Sequence, residues 1–245
     1  MLDELLARFA QRDRLALARL LTLVSRGEHL GAIRAELAAS HRSSLVVAVT
    51  GAGGVGKSSL VGRLIELLRD RGKTVGVLAC DPQSSLTGGA LLGDRVRMPS
   101  RPSDAGVFVR SLAATAGHQS IAEHLDLIIE LLAAFGFDCV LLETAGAGQG
   151  DTAVRELADV VVVLVQPETG DELQWEKAGL MEIADVVVVH KADLPGADRV
   201  EAQLRDLLSL PGCREVAVLQ VSSSKGRGLD ELWSAVESAA GRNDK

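Results

Sequence analysis

Eight residues constrain this chain more than any others: Gly51-Ala52-Gly53-Gly54-Val55-Gly56-Lys57-Ser58. They match GxxxxGK[ST], directly after the apolar run Leu45–Thr50 and directly before a helical pattern over Lys57–Arg71. A strand, this loop and a helix in that order make a phosphate cradle. The glycines let backbone N–H groups approach phosphate oxygens, and the helix start adds positive potential. Lys57 can neutralise charge on the β- and γ-phosphates, and the Ser58 hydroxyl can ligate magnesium. Gly51 to Ser59 is therefore expected to line a nucleoside triphosphate. Position 52 is Ala, where ParA/MinD-type ATPases carry a signature Lys, which disfavours that branch.

The rest of the chain repeats the same alternation. Apolar runs at Leu45–Thr50, Thr74–Cys80, Val107–Arg110, Phe137–Glu143, Val160–Val165, Asp185–His190 and Glu215–Gln220 read as strands. Most are continuous Val- and Leu-rich stretches, as strands buried on both faces of a parallel sheet require. Helical patterns lie between or after them at Gln119–Phe135, Leu173–Ile183, Arg199–Leu208 and Gly228–Ala240. The expected fold is α/β, doubly wound, with a mainly parallel sheet. Before it, Leu5, Phe9, Leu15, Leu20 and Leu23 fit one or two amphipathic helices, and Ile33–Ala38 a shorter one. The expected division is a helical segment over 1–42, a nucleotide-binding domain over 43–241 and a tail over 242–245. The Gly-, Pro- and Ser-rich stretch from Asp81 to Asp104 is long for a loop, and such loops usually carry function.

Composition excludes other classes. With 245 residues and a net charge of -7, the bulk field repels nucleic acid and anionic membranes. Two Trp, four Phe and no Tyr leave few stacking platforms for single-stranded nucleic acid. Cys80, Cys139 and Cys213 form no CxxC, so neither a disulfide framework nor a structural zinc site is expected. Cys80 and Cys139 sit in apolar runs, where Cys behaves as a small buried hydrophobe. Trp233, on the amphipathic last helix, is expected in the core. Asp3, Glu4 and Arg8 interrupt any secretory h-region, and no apolar run is long enough to span a bilayer. A cytoplasmic location is expected, with neither nucleic acid nor membrane as partner.

Later strand ends address which base is bound. Asp185–His190 runs into Lys191-Ala192-Asp193, so the chain has His-Lys-Ala-Asp where GTPases have Asn-Lys-x-Asp. A carboxylate at Asp193 can accept from guanine N1 and N2, a donor pair that adenine lacks. The stem of Lys191 would lie against the base. His190 replaces an Asn that braces neighbouring loops and touches the base. The next strand leads into Ser222-Ser223-Ser224-Lys225, similar to the SAK loop whose backbone N–H reads guanine O6. Taken singly, the first segment also reads as a solvated turn and the second as a Ser-rich loop. Together they favour GTP over ATP. Asp81 and Glu143 end strands at the expected carboxyl edge, where open α/β sheets place ligands. Each could also be an N-cap or turn residue. The glycines after Glu143 read as a switch that moves with the γ-phosphate.

These pieces together resemble the ArgK/MeaB family. Asp81-Pro82-Gln83-Ser84-Ser85 and the later Gly88-Gly89-Ala90-Leu91-Leu92-Gly93-Asp94-Arg95-Val96-Arg97-Met98 resemble its first switch. Glu143-Thr144-Ala145-Gly146-Ala147-Gly148-Gln149 resembles its second, and Gln166 to Gly179, containing Gly170-Asp171-Glu172-Leu173-Gln174, its third. The family comprises P-loop GTPases of the SIMIBI type and includes the methylmalonic aciduria type A protein. Its members act as chaperones of adenosylcobalamin-dependent acyl-CoA mutases, gating cofactor loading and protecting the mutase. The resemblance implies Mg²⁺ and GTP or GDP at the site, with adenosylcobalamin only through the partner. It implies that Lys57, Asp81 and Glu143 are catalytic. Ser58, Asp81, Asp94 and Glu143 would complete the metal and water site. His190, Lys191, Asp193 and Ser222 to Ser224 would hold the base. Arg97, Gln149, Asp171, Glu172, Gln174, Trp175 and Lys177 would couple nucleotide state to the mutase. Trp175 stands where a small residue is common, and reads either as an interface anchor or as packing on the sheet. The family dimer uses a C-terminal extension, and little chain follows the last helix, so a homodimer is an open expectation.

Arg97 and Arg110 are candidates for an arginine finger. Two rival readings use the same loop. A nickel-type metallochaperone GTPase needs a Cys or His cluster, and the five histidines form none in sequence. A small-molecule kinase, a rival label within the resemblance itself, needs an acceptor pocket and usually a lid.

Overall fold

The computed structural model describes residues 2–38, 43–82, 104–114, 122–145, 154–167, 180–209 and 216–243. Three helices come first: α1 (Leu2–Ala10), α2 (Arg14–Ser25) and α3 (Leu30–Leu37). Then follow β1 (Leu45–Gly51), α4 (Lys57–Asp70), β2 (Val75–Pro82), β3 (Val107–Ala114), α5 (Leu125–Phe135), β4 (Cys139–Glu143) and β5 (Val160–Val165). The last elements are α6 (Leu180–Ile183), β6 (Val186–His190), α7 (Ala197–Leu208), β7 (Ala217–Val221) and α8 (Leu229–Asn243).

The strands form a seven-stranded sheet in the order β3-β2-β4-β1-β5-β6-β7. Every pairing is parallel. All strands therefore end on one edge, which collects Gly51, Glu143, His190 and Val221. β1 is central, flanked by β4 and β5. The chain crosses to the other half of the sheet around it, which is where such folds open a ligand crevice.

Alternation along each strand splits the core between two faces. Val46, Ala48, Val140, Leu142, Val161 and Val187 point to one side, with α2, α3, α5 and α7. Val47, Val49, Leu141, Val160, Val162 and Val188 point to the other, with α4 and α8. Trp233 belongs to this second face, buried as expected, and its Nε1 donates to Glu237 Oε1 at 2.8 Å. Cys80 and Cys139 are buried, and burial pushes the Cys139 thiol up. No helix among the described residues is long and apolar enough to cross a membrane.

The N-terminal helices share this core. Leu17, Leu20, Leu21 and Val24 of α2 are fully buried against the sheet-side cluster that contains Ile128, Leu131 and Leu132. Each such side chain contributes about 1.5–3 kcal/mol of transfer free energy. All four phenylalanines join one chain of rings: Phe9 to Phe135 at 5.6 Å, Phe135 to Phe137 at 5.6 Å, and Phe137 to Phe108 at 6.1 Å. The Arg14 guanidinium lies 5.4 Å from the Phe108 ring and donates to the carbonyls of Ala105 and Val107. It thereby occupies carbonyls at the start of edge strand β3, which would otherwise be open to pairing.

Sequence and structure differ at several element ends. α5 begins at Leu125, not at 119, because His124 takes a left-handed φ of 56° at its N-cap. β4 and β6 each begin one or two residues later than expected, since Asp138 and Asp185 close rings instead of extending strands. The Asp138 N–H donates to Thr74 O, and Asp138 Oδ2 accepts from Thr74 N at 2.7 Å. Asp159 makes the same pair of bonds with Val46, and Asp185 with Val161. These aspartates satisfy strand-start donors at the amino edge, of which the Val161 N–H is buried. Of the expected helix over 173–183, only Leu180–Ile183 lies within the described residues.

Candidate functional site

The loop after β1 depends on backbone that only glycine adopts comfortably. Gly51, Gly54 and Gly56 have φ values of 142°, 76° and 102°. A Cβ on Gly51 would stand 2.4 Å from the Leu164 carbonyl oxygen. Gly56 is the N-cap of α4, and Lys57 and Ser58 begin that helix. The Lys57 ammonium is buried and donates to Gly51 O at 2.8 Å and Ala52 O at 3.2 Å, folded over the cradle its loop forms. Ala52, Gly53 and Gly54 are exposed, while the Val55 side chain is buried.

Ser58 and Glu143 meet at the same edge. The Ser58 hydroxyl donates to Glu143 Oε1 at 2.7 Å, and Glu143 is only 4% exposed. A hydroxyl and a carboxylate are hard oxygen donors of the kind Mg²⁺ takes, so this pair fits that ion. Thr144, the next residue, is tied to β1: its N–H donates to Val49 O and its hydroxyl to Thr50 Oγ1 at 2.9 Å. Asp81 lies at the end of β2, just beyond Ala79, which is in register with Glu143. The backbone thus brings Asp81 and Glu143 to one edge.

The second half of the site lies across the loop. Asp193 Oδ1 accepts from the Ser222 hydroxyl at 2.5 Å, and that bond holds its carboxyl below the usual carboxylate range. Ser222 Oγ lies 3.1 Å from Ser224 Oγ and accepts from Lys225 N–H. His190 is 3% exposed, with Nδ1 2.7 Å from Val55 O and Nε2 2.7 Å from Ser223 Oγ. Lys191 takes a left-handed φ of 56°. Its Nζ donates to Gly54 O at 2.9 Å and Gln166 Oε1 at 2.6 Å, so it ties β6 to both the glycine loop and the end of β5.

Between these halves is a cavity of about 550 Å³. Gly56 and Ser59 border it on the loop side, and His190, Lys191, Asp193 and Leu194 on the β6 side. Ser223 and Ser224 close it, and Arg63 and Glu66 of α4 also line it. The size suits an organic ligand, with a few polar groups to orient it. The structure therefore brings together Gly56, Lys57, Ser58, Ser59, Glu143, His190, Lys191, Asp193 and Ser222 to Ser224. Sequence reasoning missed Arg63 and Glu66, and placed Gln166 only at the start of the third-switch stretch. Arg63 and Glu66 were legible only as continuations of the Ser59 face of α4, at helical spacing.

Arg110 is not at this site. Its Nη2 donates to Thr22 Oγ1 of α2 at 3.0 Å, on β3, which lies three strands from β1. The finger expectation for it is corrected: it fastens the N-terminal helices to the sheet edge. Asp94, Arg97, Gln149, Asp171, Glu172, Gln174, Trp175 and Lys177, and the side chain of Asp81, lie outside the described residues.

Comparison with known proteins finds relatives named as GTPases. The family model described as methylmalonyl Co-A mutase-associated GTPase MeaB matches residues 17–243. A protein of Pyrococcus abyssi named as a GTPase is 40% identical over 244 residues, covering 97% of this chain and 75% of its own. The fused isobutyryl-CoA mutase of Nocardia farcinica is 42% identical over 202 residues, covering 80% of this chain and 19% of its own. Among solved structures, the LAO/AO transport system kinase aligns with a TM-score of 0.72 at 26% identity, covering 99% of this chain and 80% of that one.

Proposed function

The chain belongs to the MeaB family of methylmalonyl Co-A mutase-associated GTPases, and on that premise we propose that it binds GTP with Mg²⁺ and hydrolyses it slowly. In this reading it couples the hydrolysis to an adenosylcobalamin-dependent acyl-CoA mutase, gating cofactor loading and protecting the mutase from inactivation. The observation that carries the nucleotide part is the Asp193 carboxylate, held by Ser222 at a cavity that Gly56 and Ser59 of the phosphate loop also line. An ionised acceptor there matches the N1–H and N2–H edge of guanine.

Each site residue then has a task. Lys57 exchanges the carbonyls of Gly51 and Ala52 for oxygens of the β- and γ-phosphates. Ser58 and Glu143, with Asp81 and Asp94, would hold Mg²⁺, which when bound would neutralise charge developing on the transferred phosphoryl group. Lys191, Asp193 and Ser222 to Ser224 hold the base. Water attacks the γ-phosphorus, the bond to the β-phosphate oxygen breaks, and GDP and phosphate leave. The protein contributes positioning and charge, so the isolated chain is slow and a partner accelerates it by ordering the switches.

The mutase part is supported by family membership and by the relative from Nocardia, whose name places a matching segment within a fused acyl-CoA mutase. Arg97, Gln149, Asp171, Glu172, Gln174, Trp175 and Lys177 are the residues proposed to meet that partner. The test measures GTP hydrolysis with and without a cobalamin-dependent acyl-CoA mutase. Stimulated phosphate release supports the reading. Absence of GTP binding, or transfer of phosphate to a small acceptor, overturns it.

A further inference from the structure

We propose that Arg63 is a specificity-determining residue of the cavity, whose guanidinium donates to the N7 acceptor of a bound guanine. The proposal rests on the reading of the cavity as a guanine-nucleotide site, and adds a contact at the edge of the base away from Asp193. The juxtaposition behind it is a carboxylate and a guanidinium on one cavity of about 550 Å³, with the serine loop between them.

Arg63 reaches the cavity from α4. Ser59, Arg63 and Glu66 follow one another at helical spacing on one face of that helix, and each lines the cavity. Arg63 Nη1 donates to Glu66 Oε2 at 2.5 Å, which restrains the guanidinium. A Cβ on Gly226 would stand 2.9 Å from Arg63 Nη2, so this nitrogen lies against the turn that follows Ser223 and Ser224. Gly226 has a left-handed φ of 62°, and its missing side chain admits the guanidinium. The other end of the same loop is held at Asp193 through Ser222 Oγ, and at the Ala192 carbonyl through Arg227 Nη2. The loop therefore runs from the carboxylate to the guanidinium.

The donors at the cavity make the assignment. Both ring nitrogens of His190 are engaged, at Val55 O and Ser223 Oγ, and Lys191 Nζ is tied to Gly54 O and Gln166 Oε1. Arg63 differs: Nε and Nη2 have no acceptor among the described residues, and Nε is buried, which leaves Nη2 to meet a ligand. Guanine carries the donors N1–H and N2–H on one edge and the acceptors O6 and N7 on the next. With the donor edge at Asp193 and O6 over the serine loop, N7 comes to the Arg63 end. Arginine at O6 and N7 is the commonest specific protein contact to guanine in DNA. Adenine shares N7, so Arg63 reads a purine while Asp193 selects guanine among purines.

The experiment titrates the full chain with GDP, 7-deaza-GDP and IDP by calorimetry. 7-Deaza-GDP has C–H in place of N7, and IDP lacks the N2 amine. The wild-type chain prefers GDP to 7-deaza-GDP by about fivefold or more. Arg63→Met keeps the apolar stem and loses the donors; it abolishes this preference and leaves the preference for GDP over IDP unchanged. Arg63→Lys, a donor without the planar fork, lowers the N7 preference partway. Equal affinity of the wild-type chain for GDP and 7-deaza-GDP overturns the proposal, as does a preference that survives Arg63→Met. Loss of both preferences together also overturns it, since that outcome marks a distorted cavity and not a lost contact. Should Arg63→Met not fold, Arg63→Lys decides: a lowered N7 preference supports the contact, and an unchanged one overturns it. A wild-type chain that binds no guanine nucleotide overturns the reading of the site itself, whereas GDP binding that ignores N7 overturns only the part given to Arg63.

Discussion

A Cβ built on Gly56 would stand 2.5 Å from Cε1 and 2.6 Å from Nδ1 of His190. The last glycine of the phosphate loop and the residue that departs from the GTPase pattern therefore occupy complementary space. Gly56→Ala meets two obstacles, the ring and a φ of 102°. The left-handed backbone alone costs about 1–2 kcal/mol, and the ring must move as well. The expected result is a lower urea midpoint and loss of nucleotide binding. Adding His190→Ala should recover only the part due to the ring.

His190 also predicts an acid sensitivity. Burial holds its pKa below the ordinary 6.5, with Lys191 acting in the same direction and Asp193 and the bond to Val55 opposing. The unfolded chain then binds more protons than the folded one as pH falls below 6.5, so stability drops over that range. Urea unfolding between pH 7 and about pH 5 should show this slope, and His190→Asn should flatten it. Carboxylates held low, such as Asp138, act at lower pH and should leave this window unchanged.

Asp193→Asn replaces one of the acceptor oxygens with a donor. Loss of a hydrogen bond to a charged acceptor costs about 1.5–3 kcal/mol, so GTP affinity should fall by about 10- to 150-fold. Affinity for XTP, which presents an oxygen in place of the N2 amine, should rise. Competition titration with the two nucleotides checks both directions.

At the opposite edge of the sheet, Asp185 joins an ion pair with Arg155 to a bond from the Val161 N–H. Its side chain is 3% exposed, against 27% for Arg155. Asp185→Ala leaves the buried Val161 N–H without this acceptor and should cost about 1–3 kcal/mol. Asp185→Asn keeps the acceptor for Val161 and should cost less. Denaturant midpoints with unchanged m-values would confirm that only stability moves.

The N-terminal helices should be inseparable from the sheet. Phe9→Ala opens the ring cluster and is expected to destabilise by about 3–5 kcal/mol. Arg14→Ala frees the Ala105 and Val107 carbonyls at the edge strand. Sedimentation velocity should then detect stronger concentration-dependent self-association than in the wild-type chain.

Much of this molecule is legible in its sequence because the signals are local. The spacing from Gly51 to Ser58, between an apolar run and a helical pattern, is enough for a phosphate loop at a strand end. Continuous runs such as Val160–Val165 announce a parallel sheet covered on both faces, and parallel strands must deliver their ends to one edge. Asp193 and the serines of 222–224 were placed by their order along the chain. What only the tertiary structure decided are pairings between residues distant in sequence. No local pattern says that His190 touches Val55, that Lys191 reaches Gln166, or that Arg63 lines the cavity beside Asp193. Nor does one say that Asp138, Asp159 and Asp185 close rings with a neighbouring strand, which is why β4 and β6 start later than their apolar runs suggest. Arg110 was ambiguous for the same reason, since a charged residue on an edge strand serves whichever element packs beside it. Periodicity reports which face of an element is buried, while the partner on that face is chosen by packing and hydrogen-bond geometry across the whole chain.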